Sequence, residues 1–196
     1  GFYLGKFEVT QEEYEKVMGN NPSEFVGDKL PVEDVSWENA FKFCEILNKK
    51  ERTPRGWVYT LPTEAQWEYA CRAETTSAYS WGDLANPLLG NFQASGLDKT
   101  AQVGSYKSNP WGFFDMHGNV SEWCYDRYGP YPSTSISDPT GLPEDEPLEA
   151  GHLAFSRLRR GGAWDETTGT SSRRSANYQF YSSSNFGFRL CLAPAR

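Results

Sequence analysis

Apolar positions in the first seventy residues recur with two different periods. "GFYLGKFEVT" alternates aromatic and polar residues as a strand does, and Thr10-Gln11-Glu12-Glu13 then forms a capping-box pattern ahead of Tyr14, Val17 and Met18. A short helix is expected to begin there. In "LPVEDVSWENAFKFCEILNKK" Ser36 is a candidate N-cap, and Trp37, Ala40, Phe41, Cys44 and Leu47 share one helical face. "VYTLPTEAQWEYACRA" predicts a strand over Val58 to Leu61, then a helix opened by Thr63 and Gln66 with Trp67, Ala70 and Cys71 turned inward.

From Glu74 onward the periodicity fades. The strand-like pieces are Ala101 to Ser105, Phe155 to Arg160 and Phe186 to Leu192, and the acidic, proline-bearing run Ser133 to His152 reads as a surface excursion. With 196 residues, 18 Gly, 12 Pro and 15% aromatic residues, the chain fits one loop-rich domain spanning 1–196, its core supplied largely by rings. So much irregular backbone needs side chains or bound cations to satisfy its buried amides.

A net charge of −7 argues against general nucleic-acid affinity, and no apolar run is long enough for insertion into a membrane. The charge is uneven: from Gly151 onward, seven arginines face only Asp165 and Glu166, a local excess of +5 that leaves −12 on the remainder. Those arginines either favour anionic ligands or brace long loops through backbone carbonyls. Cys44, Cys71, Cys124 and Cys191 are dispersed among apolar neighbours and are expected to be reduced, buried small hydrophobes. His117 and His152 are too few for a histidine metal centre or a Ser-His-Asp triad. The sequence leaves the compartment open; export or surface attachment through a segment preceding Gly1 is one arrangement.

"NPWGFFDMHGNVSEWCYD", residues 109 to 126, carries the most specific chemistry. Asp115 and Glu122 offer carboxylates, and Gly118-Asn119 permits a tight turn with inward carbonyls. Hard oxygens in that pattern suit Ca²⁺, which takes about 6–8 of them, or else form an Asx-type turn beside an aromatic cluster. The sequon-like Asn119-Val120-Ser121 lies inside this loop and reads as structural.

"YLGKFEVTQEEYEKVMGNNPS", "LPVEDVSWENAFKFCEILN", "LPTEAQWEYACRA", "GFFDMHGNVSEWCYD", "RLRRGGAW" and "GFRL" occur in this order over nearly the whole chain. Together they resemble the formylglycine-generating enzyme / sulfatase-modifying-factor family. The resemblance implies an α+β fold of the C-type lectin-like kind, with two main helices, small twisted antiparallel sheets and structural Ca²⁺. One ion would use the side chains of Asp115 and Glu122 with the carbonyls of Gly118 and Val120. A second would use the side chains of Asn91 and Asp98 with the carbonyls of Phe92 and Thr100.

Catalytic members resemble this chain in the bracket from "RGG" to "GFR" but carry two copper-holding cysteines there. The corresponding positions here are Asp165 or Glu166 and Thr170 or Ser171, and no cysteine lies between Tyr125 and Leu190. No copper and no formylglycine formation are therefore expected. Relatives that build ergothioneine need a histidine-ligated iron, for which the raw material is lacking. The bracketed insert instead resembles the binding surface of non-catalytic relatives, including the variable segment of retroelement-diversified proteins of the same fold. Trp164, Tyr178, Phe180 and Tyr181 would supply rigid contacts, and Thr168, Thr170, Ser171, Asn177, Ser183 and Asn185 adaptable hydrogen bonds. Asp165, Glu166, Arg173 and Arg174 would supply charge. The expected ligand is a protein, a glycan or another small molecule; an enzyme with a cysteine-free mechanism is the alternative.

Overall fold

The computed structural model describes residues 1–131, 133–143 and 155–195. The three expected helices form, each opened by the hydroxyl predicted to cap it. α1 (Gln11–Met18) has Thr10 and Glu13 in a reciprocal capping box and stops at Gly19 in the left-handed conformation. α2 (Trp37–Lys50) is capped by Ser36 and is the longest. α3 (Glu64–Arg72) repeats the capping box with Thr63 and Gln66. On α2 the buried stripe is Trp37, Ala40, Phe43 and Cys44, while Phe41, expected inward, is half-buried and stacks on Trp37.

The strands form two small sheets. β1 (Tyr3–Leu4) and β2 (Trp57–Thr60) flank β7 (Cys191–Pro194) in an antiparallel trio. β3 (Ser121–Arg127), β4 (Ser156–Arg160), β5 (Ser175–Tyr178) and β6 (Phe186–Gly187) make the second sheet in the order β5-β4-β3-β6, with β6 parallel to β3. Two strand expectations are corrected. Residues 101–105 form a turn, with Val103 N–H donating to the Lys29 carbonyl and Gly104 N–H to Asp115 rather than to a neighbouring strand. The run Phe186 to Leu192 is two strands in different sheets, broken where Arg189 turns inward. Of the expected excursion Ser133 to His152, residues 133–143 lack helix or strand, and 144–152 lie outside the described residues.

Two apolar clusters fill the interior. One packs Tyr14, Val32, Phe43, Leu61, Trp123 and Phe188 between the first two helices and the sheets. The other packs Trp67, Ala70, Cys71, Met116, Cys124 and Leu158 beneath α3. Each buried indole finds an acceptor: Trp37 donates to the Cys124 carbonyl, Trp123 to the Val35 carbonyl and Trp67 to Glu122. All four cysteines are buried thiols outside any disulfide. Among the described residues no helix is long and apolar enough to cross a membrane.

Glu33 is fully buried; its Oε1 accepts from Phe25 N–H at 2.8 Å and its Oε2 has no hydrogen-bond partner. Burial pushes its carboxyl up to about 7. A raised folded-state pKa costs nothing below the unfolded value and accumulates as pH climbs to the folded one, so Glu33 destabilises the fold between about pH 4.5 and 7. Thermal denaturation of Glu33→Gln beside wild type should show the difference growing in the variant's favour from pH 5 to pH 8, up to about 3 kcal/mol. A pH-independent difference would show that Glu33 does not titrate in this range.

Candidate functional site

β4 ends at Arg160, and Gly161-Gly162 turns the chain into the insert. Both glycines have positive φ, and a Cβ on Gly162 would lie 2.7 Å from the Cα of Gly169, so the two arms of the loop touch where a side chain cannot fit. Trp164 is half-buried: its indole donates to the Ser184 carbonyl and its ring meets Phe25 edge-on at 5.5 Å. Asp165 accepts the Asn185 amide on both oxygens at 2.9 Å, which ties the start of the insert to its end. Glu166 Oε2 lies 2.9 Å from Arg173 Nη2, close enough for charge attraction though not aligned as a hydrogen bond. Thr168 shares a 2.7 Å hydrogen bond with the Tyr79 hydroxyl, and the Thr170 carbonyl accepts from Arg173 N–H.

Two residues expected at the surface are structural. Ser171 is fully buried, its N–H on the Ala78 carbonyl and its hydroxyl 3.7 Å from Cys71 Sγ. Arg174 forks onto Glu64, Nε to Oε1 at 2.7 Å and Nη2 to Oε2 at 2.9 Å, donates to the Gly129 carbonyl, and lies over the Tyr131 ring. Glu64 also receives Arg160, whose terminal nitrogens reach Glu68 and the Ser171 and Ser172 carbonyls as well, while its Nε has no partner among the described residues. The physical reason is charge: a buried carboxylate at the start of α3 and a guanidinium on the insert compensate each other out of water. A cavity of about 1000 Å³ opens beside this pair, walled in part by Tyr69, Tyr131, Pro139 and Leu142.

The second limb of the insert differs. Asn177 on β5 accepts from Arg159, and beyond it the backbone is pinned: Gln179 N–H to Phe155 O, Glu38 N–H to Gln179 O, Tyr181 N–H to Tyr178 O, and both Asp34 and Phe186 N–H to Ser183 O. Two side chains on this pinned turn point outward. Phe180 and Tyr181 are 63% and 50% exposed, and Tyr178 stacks on Phe180 at 5.4 Å.

The ion loop is built around buried acids. Asp115 and Asn119 have left-handed backbones, and a Cβ on Gly118 would meet the Asn91 carbonyl oxygen at 2.3 Å. Glu122 does not have the free carboxylate expected of it: Arg189 takes both oxygens at 2.6 Å and Trp67 donates to Oε2 at 2.7 Å. Asp115 accepts Gly104 N–H on Oδ2, whereas its buried Oδ1 has no partner. Glu8 joins them, accepting from Asn119 Nδ2 and Val120 N–H. Sequence reading missed Glu8 because it looks like one polar step in an alternating strand. Burial, together with Asp115 and Glu122 nearby, holds the Glu8 carboxyl well above the usual range, and burial lifts Asp115 to about 6. Three carboxyls thus lie around one guanidinium, and burial with their mutual repulsion favours the protonated form of Glu8. Among the described residues no three acids, histidines or cysteines converge as a metal-ligand group, so backbone carbonyls would have to complete any shell.

The second expected ion set does not converge. Asn91 Oδ1 accepts from Ser95 Oγ and its amide donates to the Lys99 carbonyl, the Phe92 carbonyl accepts from Ser95 N–H, and Asp98 is exposed. Thr100 is buried nearby with its hydroxyl unpartnered. A short 3₁₀ turn, Gln93–Ser95, lies between Phe92 and Asp98.

The thiols carry no sign of activation. Cys71 lies 3.6 Å from His117 Nε2, yet burial raises the thiol to about 12 and lowers the imidazole to about 4, so both are neutral. His117 is held by the Gly169 carbonyl at Nδ1 and by Ser80 N–H at Nε2.

Comparison with known proteins matches this architecture. The chaperone protein LppX of Paenibacillus barcinonensis is 30% identical over 217 residues, covering 86% of this chain and 71% of that protein. The formylglycine-generating enzyme of Mycobacterium tuberculosis (strain ATCC 25618 / H37Rv) is 40% identical over 151 residues, 68% of this chain but only 46% of the enzyme, so the chain spans under half of that relative. Among solved structures, Treponema denticola variable protein 1 superposes with a TM-score of 0.80 at 28% identity, over 98% of this chain and 84% of that one. The profile of the Sulfatase-modifying factor enzyme 1-like domain matches residues 1–194, and the chain belongs to that family.

Proposed function

We propose that this domain is a non-catalytic binding module whose contact face is the second limb of the insert, Tyr178 to Ser184. The observation that carries the reading is the exposed Phe180 and Tyr181, with the half-buried Tyr178 stacked on Phe180, on a turn whose backbone is fixed by hydrogen bonds to α2, Asp34 and Phe155. Rings on a fixed backbone lose little conformational entropy when they meet a partner. The likeness to a variable protein supports a face whose residues change while the scaffold persists. Against chemistry stand the neutral, buried thiols and the engagement of Asp165 by Asn185 and of Glu166 by Arg173. The partner is a protein or a glycan.

Screening wild type against protein and glycan arrays, then repeating with Phe180→Ser and Tyr181→Ser, tests the reading. Both variants should melt within a few degrees of wild type, and at least one should weaken the captured ligand about tenfold or more. Unfolding of both variants, or a ligand indifferent to both, would make the segment structural.

Calcium is proposed as a stabiliser of the 115–122 loop, held by Asp115, whose buried Oδ1 has no partner among the described residues, with Glu8 and loop carbonyls, where it would favour the ionised carboxylates that burial alone disfavours. Melting in calcium should exceed melting in chelator, and Asp115→Asn should remove most of that difference while preserving the Gly104 contact. Identical melting of wild type with and without calcium would refute the assignment.

A further inference from the structure

Arg157, Arg159 and Arg160 of β4 and Arg189 beside β7 are buried, and Arg174 on the insert is half-buried; Arg160, Arg174 and Arg189 are matched to carboxylates. Arg160 holds Glu64 and Glu68, Arg174 holds Glu64, and Arg189 holds Glu122. Among the described residues Arg159 has no carboxylate at ion-pair distance. Its side chain, 5% exposed, lies flat on the Phe186 ring at 3.4 Å, and Nη2 donates to Asn177 Oδ1 at 2.6 Å. Nε and Nη1 have no acceptor. Donors buried without partners are costly, the more so on a charged group, so a fold that retains two of them on one guanidinium calls for a reason.

The location supplies one. Arg159 faces away from the side of β4 that carries Arg160, toward the return limb of the insert. Tyr181, half-exposed, packs on the same Phe186 ring at 5.8 Å, so the guanidinium sits at the base of the aromatic face. Burial lowers Arg159 to about 10, so it stays charged at neutral pH. Asp165 and Glu166 are near enough to act on it electrostatically, but Asp165 is bound to Asn185 and Glu166 sits against Arg173.

Resting on the binding face proposed above, we infer that Arg159 is its specificity point and takes a carboxylate carried by the ligand. A planar guanidinium with open donors matches a carboxylate in shape and charge. Phosphate fits less well, since a second negative charge would lie uncompensated beside Asp165 and Glu166. The carboxylate comes from an acidic peptide side chain or from a uronic sugar, and the same guanidinium chemistry serves both.

The Nε–Hε resonance of Arg159 in ¹⁵N-labelled wild type, assigned with Arg159→Lys, reads the contact directly. A Glu-bearing peptide or galacturonate should shift it, whereas the matching Gln peptide or galactose should not. Whichever of the two acids acts names the source. Binding should favour acid over neutral probe at least tenfold in wild type and lose that preference in Arg159→Met, while Phe180→Ser weakens both probes alike. Should neither acid move the resonance, or should it move only in Glu166→Gln because Glu166 already satisfies it, the inference fails. Loss of preference in Arg159→Met with Phe180→Ser and Tyr181→Ser silent would keep the carboxylate contact and reject the aromatic face; the reverse pattern would keep the face and reject Arg159.

Discussion

Glu122 and Arg189 share no accessible side-chain surface with solvent, and their two 2.6 Å contacts join the two sheets. Glu122 lies on β3; Arg189 lies between β6 and β7. The remaining Arg189 donors reach the Gly5 carbonyl beside β1 and the Phe114 carbonyl beside the ion loop, while Trp67 of α3 completes Glu122. One pair thus fixes the termini, a helix and the loop region relative to each other. It also explains why a run of apolar residues breaks at 188–190: the chain leaves one sheet so that Arg189 can turn inward. Removing one partner of such a pair costs about 3–5 kcal/mol, because the charge left behind is buried and uncompensated.

The same device recurs across the loop-rich half. Arg160 and Arg174 converge on Glu64 at the start of α3, and the capping Thr63 sets that carboxylate where the insert can reach it. Irregular backbone is held because its carbonyls receive guanidinium donors, as at Ser171, Ser172 and Gly129. Bracing therefore sits in the first limb of the insert. The second limb is anchored mainly through its backbone amides and carbonyls, with the Trp164 indole on the Ser184 carbonyl and Gln179 on Glu38, which leaves Phe180 and Tyr181 exposed.

Helices were legible because their signals are local: Thr10, Ser36 and Thr63 cap within three residues of their own position. Long-range ion pairs were not, since Arg174 and Glu64 are 110 positions apart and nothing in composition pairs them. The arginine excess after Gly151 left two uses open, and the structure shows one of them: Arg160, Arg174 and Arg189 brace, while Arg159 has no matching acid among the described residues. Glu8 was hidden because strand alternation gives no hint that its polar position faces a second buried carboxylate. The family motif showed that Asp115 and Glu122 belong to one loop region but not that Arg189 claims Glu122.

A double-mutant cycle at Glu122 and Arg189 probes the dependence of the whole fold on this pair. Urea unfolding of Glu122→Gln, Arg189→Met and the double variant gives the coupling energy. Each single change should cost about 3–5 kcal/mol, and the double should be about as stable as the worse single variant or more so, a coupling of roughly 3 kcal/mol. Additive losses, with coupling near zero, would show that the two residues stabilise the fold independently and that no single pair joins the sheets.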